Sequence, residues 1–353
     1  MKNRRVLRVG ALFLVLTLAF AACGGGSEDD DSGQSGENGG ASGELTEAKL
    51  RWNFIFDVTV APYFLAAQEG GAYEDAGFDV DVLPGRGSLI AAQTVATGQD
   101  DYALITADTA IQIISEGANL KIIAAVQRSH PAALIHKTDV DIQTLQDLPD
   151  QDVVLISGAG SSYHQALFGI MEEAGLSRDS VEMQLVDYAA FAASYRNVDR
   201  AAVVGGLDSE AIAYKAFDPE VRAISLTELG LKMYGNVLVT SATRVAEEPE
   251  EVQAFVDATL AGLEGAIDDP QSAVDAIVEA EPDLAGSADT PEGLEQLAAA
   301  TGLSESPSSP DAPLGLIVED EFATMVDFLT TYMGLKQPLE PEAYYTNEFL
   351  PEG

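Results

Sequence analysis

Short strand-like segments alternate with helical segments along this chain from about residue 48 onward. LRWNFIF at 50–56 and FDVDVLP at 78–84 place apolar side chains at every second position, as half-buried strands do. The segments 61–77 and 87–99 have the composition and the glycine endings of helices. Strands that alternate with helices build a largely parallel sheet. The chain is therefore predicted to have an α/β fold, and residues 48–353 are enough for two domains.

The pattern changes at two points, which divides the predicted α/β region into parts. A second unit begins near Thr138, with predicted strands ending at Ser157 and covering 181–188 and 201–206. Near Met233–Asn236 the chain changes again, into the strand NVLVTS and then into long acidic helices.

Cys23, the only cysteine of the chain, follows an N-terminal signal pattern. Basic residues within 2–8 precede an apolar run at 9–22, which is well short of the ~20 apolar residues of a spanning helix. The AAC sequence at the end of this run resembles the bacterial lipoprotein signal, in which the cysteine is lipidated. We expect 1–22 to be a signal peptide and 23–47, rich in Gly, Ser and acids, to be a tether. An ordinary cleaved signal and a twin-arginine export signal are the alternatives.

The chain is strongly acidic. Four of the 18 Lys and Arg residues, and none of the 58 Asp and Glu residues, lie in the signal segment, so the rest carries 14 basic and 58 acidic residues and a net charge of −44. This charge argues against nucleic acid and anionic membrane surfaces as partners. The acids are spread over helical faces, so a surface adapted to high salt explains them better than capture of cations does.

No set of residues has the spacing of a known catalytic or metal site. His130, His136 and His164 are well separated, and GxSxG, P-loop and HExxH motifs are absent. GAGSS at 158–162 contains G-x-G but lacks the third glycine of the dinucleotide fingerprint. The sequence therefore predicts no catalytic residue, no metal and no cofactor.

Polar breaks recur where predicted strands lead into helices. They are PGRGS (84–88), ITADT (105–109), ISGAGSSYH (156–164), DYAAF (187–191) and VGGLDSE (204–210). Ligands of open α/β sheets bind outside the carboxyl ends of strands, where backbone N–H groups and capping hydroxyls hold polar groups. Each break alone is explained by an ordinary loop, but five of them, shared between two units, predict a cleft between lobes.

Tyrosines lie near these breaks. Tyr63, Tyr163, Tyr188 and Tyr234 each stand at a break or at the start of an element. A cleft with several tyrosines and few charges suits a flat, weakly charged organic molecule, although packing explains any one tyrosine equally well. Arg128, after the strand at 121–127, is either a partner for an anionic group or a surface arginine.

The order of segments resembles one protein family over nearly all of residues 48–353. The segments 61–110, 117–135, 144–157 and 234–278, together with the closing YYTNEFLP, are similar to the substrate-binding proteins of ABC importers of the thiamine-precursor, nitrate, sulfonate and taurine type. The resemblance implies a two-lobed, type II periplasmic-binding-protein fold with a ligand cleft between the lobes. Closure over the ligand would be a hinge motion, and the closed form would dock on a permease with its ATPase.

The resemblance also implies lobe bounds and ligand contacts. The first lobe would comprise 48–137 and 237–353 and the second 138–236, with hinge strands near His136 and Met233–Asn236. Carried over position by position, the contacts fall on Phe56, Asp57, Gly87, Ser88, Thr106, Ala107, Asp108, Ser157, Ser161, Ser162, Tyr163, Tyr188, Asp208, Tyr234 and Asn236.

Departures from the family pattern bear on the ligand. Pyrimidine-precursor binders carry a Trp in the first strand and a His before the first helix, and here Phe54 and Val60 stand at those places. The tyrosines favour a heterocycle such as a pyrimidine or a flavin, whereas Arg128 with the capping hydroxyls would suit a sulfonate. The heterocycle is preferred.

The expected function is therefore that of a monomeric, extracytoplasmic binding component of an ABC importer, held at the membrane by lipid on Cys23. An enzyme of the same fold that makes the thiamine pyrimidine is the rival class. Its chemistry needs a cysteine-rich motif, and Cys23 is the only cysteine here. A lipoprotein that senses or scaffolds without transport is the third class.

Overall fold

The computed structural model describes residues 45–158 and 161–350. The predicted signal segment, the predicted lipidation site at Cys23 and most of the predicted tether lie outside these residues. Within this described part, no helix combines the length and the apolar character that crossing a bilayer requires.

The described residues form ten strands, which assemble into two five-stranded sheets. The strands are β1 (Thr46–Trp52), β2 (Phe78–Leu83), β3 (Tyr102–Thr106), β4 (Lys121–Ala125), β5 (Ala132–His136), β6 (Val154–Gly158), β7 (Glu182–Val186), β8 (Ala201–Gly206), β9 (Arg222–Ser225) and β10 (Asn236–Thr240). The first sheet has the order β2-β1-β3-β10-β4 and the second the order β7-β6-β8-β5-β9.

Helices surround both sheets. They are α1 (Ala61–Ala67), α2 (Ala72–Asp75), α3 (Ser88–Ala96), α4 (Ala107–Ser115), α5 (Asp147–Asp150), α6 (Tyr163–Glu173), α7 (Phe191–Asn197), α8 (Glu210–Ala213), α9 (Ala242–Glu247), α10 (Pro249–Asp268), α11 (Pro270–Ala280), α12 (Ala285–Ala288), α13 (Pro291–Gly302), α14 (Glu319–Tyr332) and α15 (Pro341–Tyr344). Short 3-10 helices lie at Val58–Val60, Arg178–Ser180, Tyr188–Ala190, Tyr214–Ala216 and Pro282–Leu284.

Strand pairing brings the predicted breaks to one edge of each sheet. In the first sheet β1 runs parallel to β2 and β3, and in the second β6 runs parallel to β7 and β8. The strands β5 and β10 return antiparallel beside them. Parallel strands place their carboxyl ends at a common edge, so the loops that follow them lie together.

The first strand and the first helix differ from the sequence prediction. The strand predicted at 50–56 ends at Trp52, and Phe54 is 42% exposed in the loop beyond it. The helix predicted at 61–77 is divided into α1 and α2 at Gly70 and Gly71. Gly70 has a φ of 70°, which side chains avoid, and a Cβ on Gly71 would lie 2.6 Å from the Ala66 carbonyl oxygen.

The strand β5 lies in the second sheet, although the sequence analysis assigned residues up to 137 to the first lobe. The connection from β4 to β5 is only 126–131, and a parallel crossover within one sheet needs about a dozen residues or more. The chain therefore passes from the first sheet to the second between Ala125 and Ala132. It returns between Ser225 and Asn236.

The helix α14 packs against α6, which follows β6 of the second sheet. The sequence analysis assigned all of 237–353 to the first lobe. A Cβ on Gly169 of α6 would lie 2.5 Å from Cζ of Phe328 in α14, so the absence of a side chain at Gly169 allows this close approach. The C-terminal part of the chain thus contacts elements of both sheets.

Candidate functional site

A cleft of about 520 Å³ is lined by residues that follow the carboxyl ends of strands in both sheets. Its wall consists of Trp52, Asn53, Phe54, Asp57, Thr59, Arg86, Gly87, Ser88, Thr106, Gln127, Pro131, Gly158, Ser161, Tyr163, Val186, Asp187, Tyr188, Phe191, Val204, Gly205, Asp208, Ser209, Glu210 and Asn236. Small-molecule sites commonly have volumes of roughly 300–1,000 Å³, so the cleft is large enough for a compact organic ligand.

Aromatic side chains from both sheets meet in this cleft. The ring of Phe54, after β1, lies 6.0 Å from that of Tyr188, after β7, at an interplanar angle of 75°. Tyr188 in turn lies 5.2 Å from Phe191. Tyr188 is 56% exposed, so its ring is accessible from the cleft mouth. Trp52 is 6% exposed, and its Nε1 has no hydrogen-bond partner among the described residues.

A polar network centred on Asn53 forms another part of the wall. Asn53 Nδ2 donates to Ser88 Oγ at 3.2 Å and to Asn236 Oδ1 at 3.0 Å. Ser88 Oγ also accepts from the backbone N–H of Thr106 at 3.1 Å, and Gln127 Oε1 accepts from the backbone N–H of Asn236 at 3.0 Å. These bonds hold together the ends of β1 and β3 and the starts of α3 and β10, together with Gln127 of the segment that connects β4 to β5.

The glycines of the PGRGS loop allow this approach of backbone to backbone. A Cβ on Gly85 would lie 2.0 Å from the Trp52 carbonyl oxygen. Gly87 has a φ of 116°, and its N–H donates to the Asn53 carbonyl oxygen at 2.6 Å. These contacts fix the loop so that Ser88 begins α3 at the cleft.

Four carboxyl groups line the cleft. Asp187 is exposed, and we call the other three, Asp57, Asp208 and Glu210, the cleft carboxylates. Asp57 follows β1 and accepts a hydrogen bond from the backbone N–H of Thr59 at 2.9 Å, whereas Asp208 and Glu210 follow β8. Burial, together with the negative charges of Asp57 and Glu210, raises the pKa of the Asp208 carboxyl to about 7. Burial and the Glu210 charge also raise the pKa of Asp57 against the effect of its bonds to Thr59. Carboxylates from two different sheets thus interact across the cleft.

Positive charge is scarce in the cleft. Arg86, an exposed residue of the PGRGS loop, is the one Lys or Arg side chain that the described residues contribute to the wall. Arg128 is not part of it. Arg128 is 4% exposed, and its Nε donates to the Ser304 carbonyl oxygen at 2.9 Å while Nη1 and Nη2 donate to the carbonyl oxygens of Ser309 (3.2 Å) and Ala312 (3.1 Å). Its guanidinium therefore holds the segment from Ser304 to Ala312.

The structure brings nine of the predicted contact residues into the cleft wall. They are Asp57, Gly87, Ser88, Thr106, Ser161, Tyr163, Tyr188, Asp208 and Asn236. Tyr163 begins α6, and burial with the charges of Asp208 and Glu210 raises the pKa of its hydroxyl. The structure thus places residues from all five predicted breaks in one cleft.

The remaining predicted residues lie outside the wall: Phe56, Tyr63, Ala107, Asp108, Arg128, Ser157, Ser162 and Tyr234. Tyr63 packs behind Trp52, with ring centroids 6.1 Å apart, and Phe56 packs edge-on against Phe64 at 5.1 Å. Tyr234 donates from its hydroxyl to Glu321 Oε2 at 2.9 Å and accepts from the backbone N–H of Val318 at 3.0 Å. These three aromatic side chains support the structure around the cleft.

The smaller residues of this set are engaged by neighbouring elements. The N–H of Ala107 donates to the Gly235 carbonyl oxygen at 2.9 Å, and Ser157 Oγ lies 3.3 Å from His164 Nδ1. Ser162 precedes α6, and its carbonyl oxygen accepts from the N–H of Ala166 at 3.0 Å. Asp108 lies in the first turn of α4, and its Oδ1 is buried without a hydrogen-bond partner in the described part of the chain.

Sequence reasoning missed several residues of the wall, chiefly Trp52, Asn53, Phe54, Arg86, Gln127, Phe191 and Glu210. Arg86, Phe191 and Glu210 belong to breaks that the sequence analysis had identified, so taking each break whole would have found them. Asn53 and Phe54 were hidden because the period-two pattern of β1 continues beyond the end of its hydrogen-bonded pairing.

Comparison with known proteins identifies relatives over nearly the whole chain. The family model described as NMT1/THI5 like matches residues 59–273. The riboflavin-binding protein RibY of Chloroflexus aurantiacus is 23% identical over 362 residues, an alignment that covers 100% of this chain and 99% of that protein.

Solved structures of sulfonate-binding proteins have a similar fold. The alkanesulfonate-binding protein SsuA of Xanthomonas axonopodis pv. citri, bound to MOPS, has a TM-score of 0.61 at 14% identity, covering 86% of this chain and all of that one. The periplasmic aliphatic sulphonate binding protein SsuA of Escherichia coli has a TM-score of 0.63 at 13% identity, covering 87% and 99%. The prediction of a two-lobed, periplasmic-binding-protein-like α/β fold is confirmed. Because the family model spans more than half of the sequence, this chain belongs to the NMT1/THI5-like family.

Proposed function

We propose that this chain is the extracytoplasmic, lipid-anchored substrate-binding component of an ABC importer, and that it captures a flat aromatic heterocycle of the flavin or pyrimidine type. The observation that carries the proposal is the aromatic lining of the cleft, in which Phe54 and Tyr188 reach each other from opposite sheets. Aromatic side chains bury large apolar area and prefer offset or edge-to-face contact with other rings. The relative RibY is a riboflavin-binding protein, which supports the same class of ligand.

The proposed capture is a closure of the two lobes over the ligand. Phe54 and Tyr188 are 42% and 56% exposed, and a ligand ring packed against both of them would remove apolar area from water on both lobes at once. We place the hinge in the two segments that join the sheets, 126–131 and 226–235. Delivery to a permease and its ATPase, and function as a monomer, are parts of the proposal.

A sulfonate is the second candidate ligand, because the structural neighbours include sulfonate-binding proteins. A buried sulfonate requires positive charge or several hydrogen-bond donors. The arginine that the sequence offered for this role, Arg128, donates to three backbone carbonyl groups away from the cleft. The heterocycle is therefore the better-supported ligand.

The test is a ligand screen on the purified chain produced without its first 22 residues, in high salt. Flavins, pyrimidines, sulfonates, nitrate, amino acids and polyamines are added in turn, and the melting temperature is measured. A ligand at 100 times its dissociation constant stabilises the folded chain by about 2.7 kcal/mol. We expect stabilisation by a flavin or a pyrimidine, and stabilisation by sulfonates or nitrate alone would overturn the proposed ligand class.

Variants then connect a hit to the cleft. Phe54→Ala and Tyr188→Ala should each weaken binding of the hit about tenfold or more, since each removes one aromatic face. Ile267→Ala is the matched control, because Ile267 is an exposed apolar residue of α10 (44% exposed) that does not line the cleft. Equal affinity in all three variants would contradict the assignment of the cleft.

The lipid anchor has its own test. Expression of the full chain in cells fed radiolabelled fatty acid should label the protein, and Cys23→Ser should abolish both the label and membrane association. Label that persists in the Cys23→Ser variant would refute lipidation at this position.

A further inference from the structure

The cleft carboxylates are poorly compensated in the structure. Glu210 is 7% exposed, and its Oε2 accepts hydrogen bonds from the Gly206 N–H at 2.7 Å and the Ser209 hydroxyl at 3.0 Å. Asp57 accepts from Thr59. Among the described residues, no Lys or Arg forms a salt bridge with any of the three. Carboxylates that are held close together and away from water destabilise the folded state unless a positive charge balances them.

The apolar part of the same cleft is complementary to a positive charge as well. Burial raises the pKa of the Tyr163 and Tyr188 hydroxyls most, and the charge of Glu210 raises both further. The charge of Asp208 also raises the pKa of Tyr163, and that of Asp57 the pKa of Tyr188. Aromatic faces beside carboxylates attract cations through the ring quadrupole. Trp52, which lines the same wall and is 6% exposed, adds a further aromatic ring to this part of the cleft.

The only basic side chain that the described residues contribute to the wall, Arg86, is exposed at the PGRGS loop. Apart from Arg86, the charged side chains that the described residues contribute to the wall are therefore all acidic. An anion entering the cleft would meet repulsion from the cleft carboxylates and from Asp187, whereas a cation would supply the positive charge that the wall lacks.

Building on the proposed function, we propose that the ligand is an organic cation: an aromatic heterocycle whose positively charged nitrogen lies against Asp57, Asp208 and Glu210 while its ring packs against Phe54 and Tyr188. Binding of such a ligand replaces a proton on the cleft carboxylates, and the proton leaves to solvent. Neutral heterocycles of similar size lack this charge and bind more weakly.

The proposal predicts that affinity for the cation increases with pH. Asp208 has a pKa of about 7 because of burial and of its carboxylate neighbours, so it holds a proton at pH 6 and is mostly ionised at pH 8. A cation that competes with this proton should bind about tenfold more tightly at pH 8 than at pH 6. The other titratable or charged groups around the site are Asp57, Asp108, His130, Tyr163, Asp187, Tyr188, Glu210 and Arg86. Burial lowers the pKa of His130 to about 4, so His130 stays neutral over this range.

The experiment is calorimetric titration of the unlipidated chain at fixed ionic strength with three probes. Thiamine is a heterocyclic cation, thiochrome is its neutral tricyclic oxidation product, and riboflavin is a neutral flavin. We expect thiamine to bind at least tenfold more tightly than thiochrome and riboflavin, with about tenfold higher affinity at pH 8 than at pH 6.

Variants of the cleft carboxylates separate charge from shape. Asp208→Asn and Glu210→Gln keep the size of each side chain and should weaken thiamine binding about tenfold, and Asp208→Asn should also abolish its pH dependence. Asp268→Asn removes the same charge from the exposed end of α10 and should leave binding unchanged.

The outcomes distinguish this inference from the proposed function. Tight binding of riboflavin or thiochrome with weak binding of thiamine would overturn the organic cation and leave the heterocycle importer standing. Thiamine binding that is equal in Asp208→Asn and the parent would also overturn the inference. If no heterocycle in this set or in the wider screen binds, both the proposed function and the inference are overturned.

Discussion

Replacing Arg128 with methionine should destabilise the fold while leaving ligand binding intact. Arg128 is 4% exposed and belongs to the segment 126–131, which connects the last strand of the chain's first passage through the first sheet, β4, to β5 of the second sheet. Its guanidinium donates to carbonyl oxygens of the segment from Ser304 to Ala312. Methionine keeps much of the apolar stem, so the change removes mainly the charged hydrogen bonds.

The magnitude follows from how deeply each bond is buried. The bond from Nε to the Ser304 carbonyl oxygen is buried and contributes about 2 kcal/mol, as hydrogen bonds from charged groups do. The bonds to Ser309 and Ala312 are only partly buried, so water replaces some of their energy, and each contributes about 0.5–1 kcal/mol. Arg128→Met should therefore lower the free energy of unfolding by about 3–4 kcal/mol.

The assay is urea unfolding at constant high salt, followed by titration of the ligand found in the screen. Arg86→Met is the matched control, because it removes the same charge from an exposed position of the cleft wall. It should change the free energy of unfolding by less than about 0.5 kcal/mol. An unfolding midpoint that is unchanged in Arg128→Met, together with loss of ligand binding, would refute the structural role of Arg128 and indicate that it contacts the ligand.

Three further predictions concern the charge and packing of the fold. In the absence of ligand, Asp208→Asn should raise the free energy of unfolding at pH 8 by up to about 4 kcal/mol, at about 1.4 kcal/mol for each pH unit between 3.8 and about 7. Between these pH values the folded parent retains a proton on Asp208 that the unfolded chain releases, so the stability of the parent falls as pH rises. Urea titrations at pH 5.5 and pH 8 measure this fall. The same change in the free energy of unfolding between the two pH values in parent and variant would contradict the prediction. The melting temperature should fall as the salt concentration is lowered by dialysis from about 1 M to 0.01 M, because the Debye length grows from about 3 Å to 30 Å and the acidic residues then repel one another. A melting temperature that does not change with salt concentration would contradict the interpretation of the surface as adapted to high salt. Gly169→Ala should lower the free energy of unfolding by about 1–3 kcal/mol, since the added Cβ would overlap the ring of Phe328. Gly302→Ala is the control and should not destabilise the fold, because open space surrounds Gly302. Equal changes in melting temperature for the two variants would argue against the packing of α14 on α6.

Local pattern in the sequence was enough to predict most strands and the edge at which the site lies. The segments YALIT, AAVVGG and NVLVT are short apolar runs bounded by polar residues, and each forms a buried strand at or within a residue of its predicted place. Because strand and helix alternate, the loops after the strands had to gather at the sheet edges. The breaks that contain Ser88, Thr106 and Asp208 follow from that rule, and the resemblance to the binding-protein family indicated these residues within them.

Only the tertiary structure decided which charges meet and which are already satisfied. Asp57 and Glu210 are far apart in the sequence, and no local pattern indicates that these two carboxylates lie close enough to raise the pKa of Asp57. Arg128 follows a strand as a ligand contact would, yet its partners come from the segment Ser304–Ala312, which is more than 170 residues away along the chain. Long-range pairing of this kind depends on how whole elements pack, and side-chain periodicity reports only on the element to which a residue belongs.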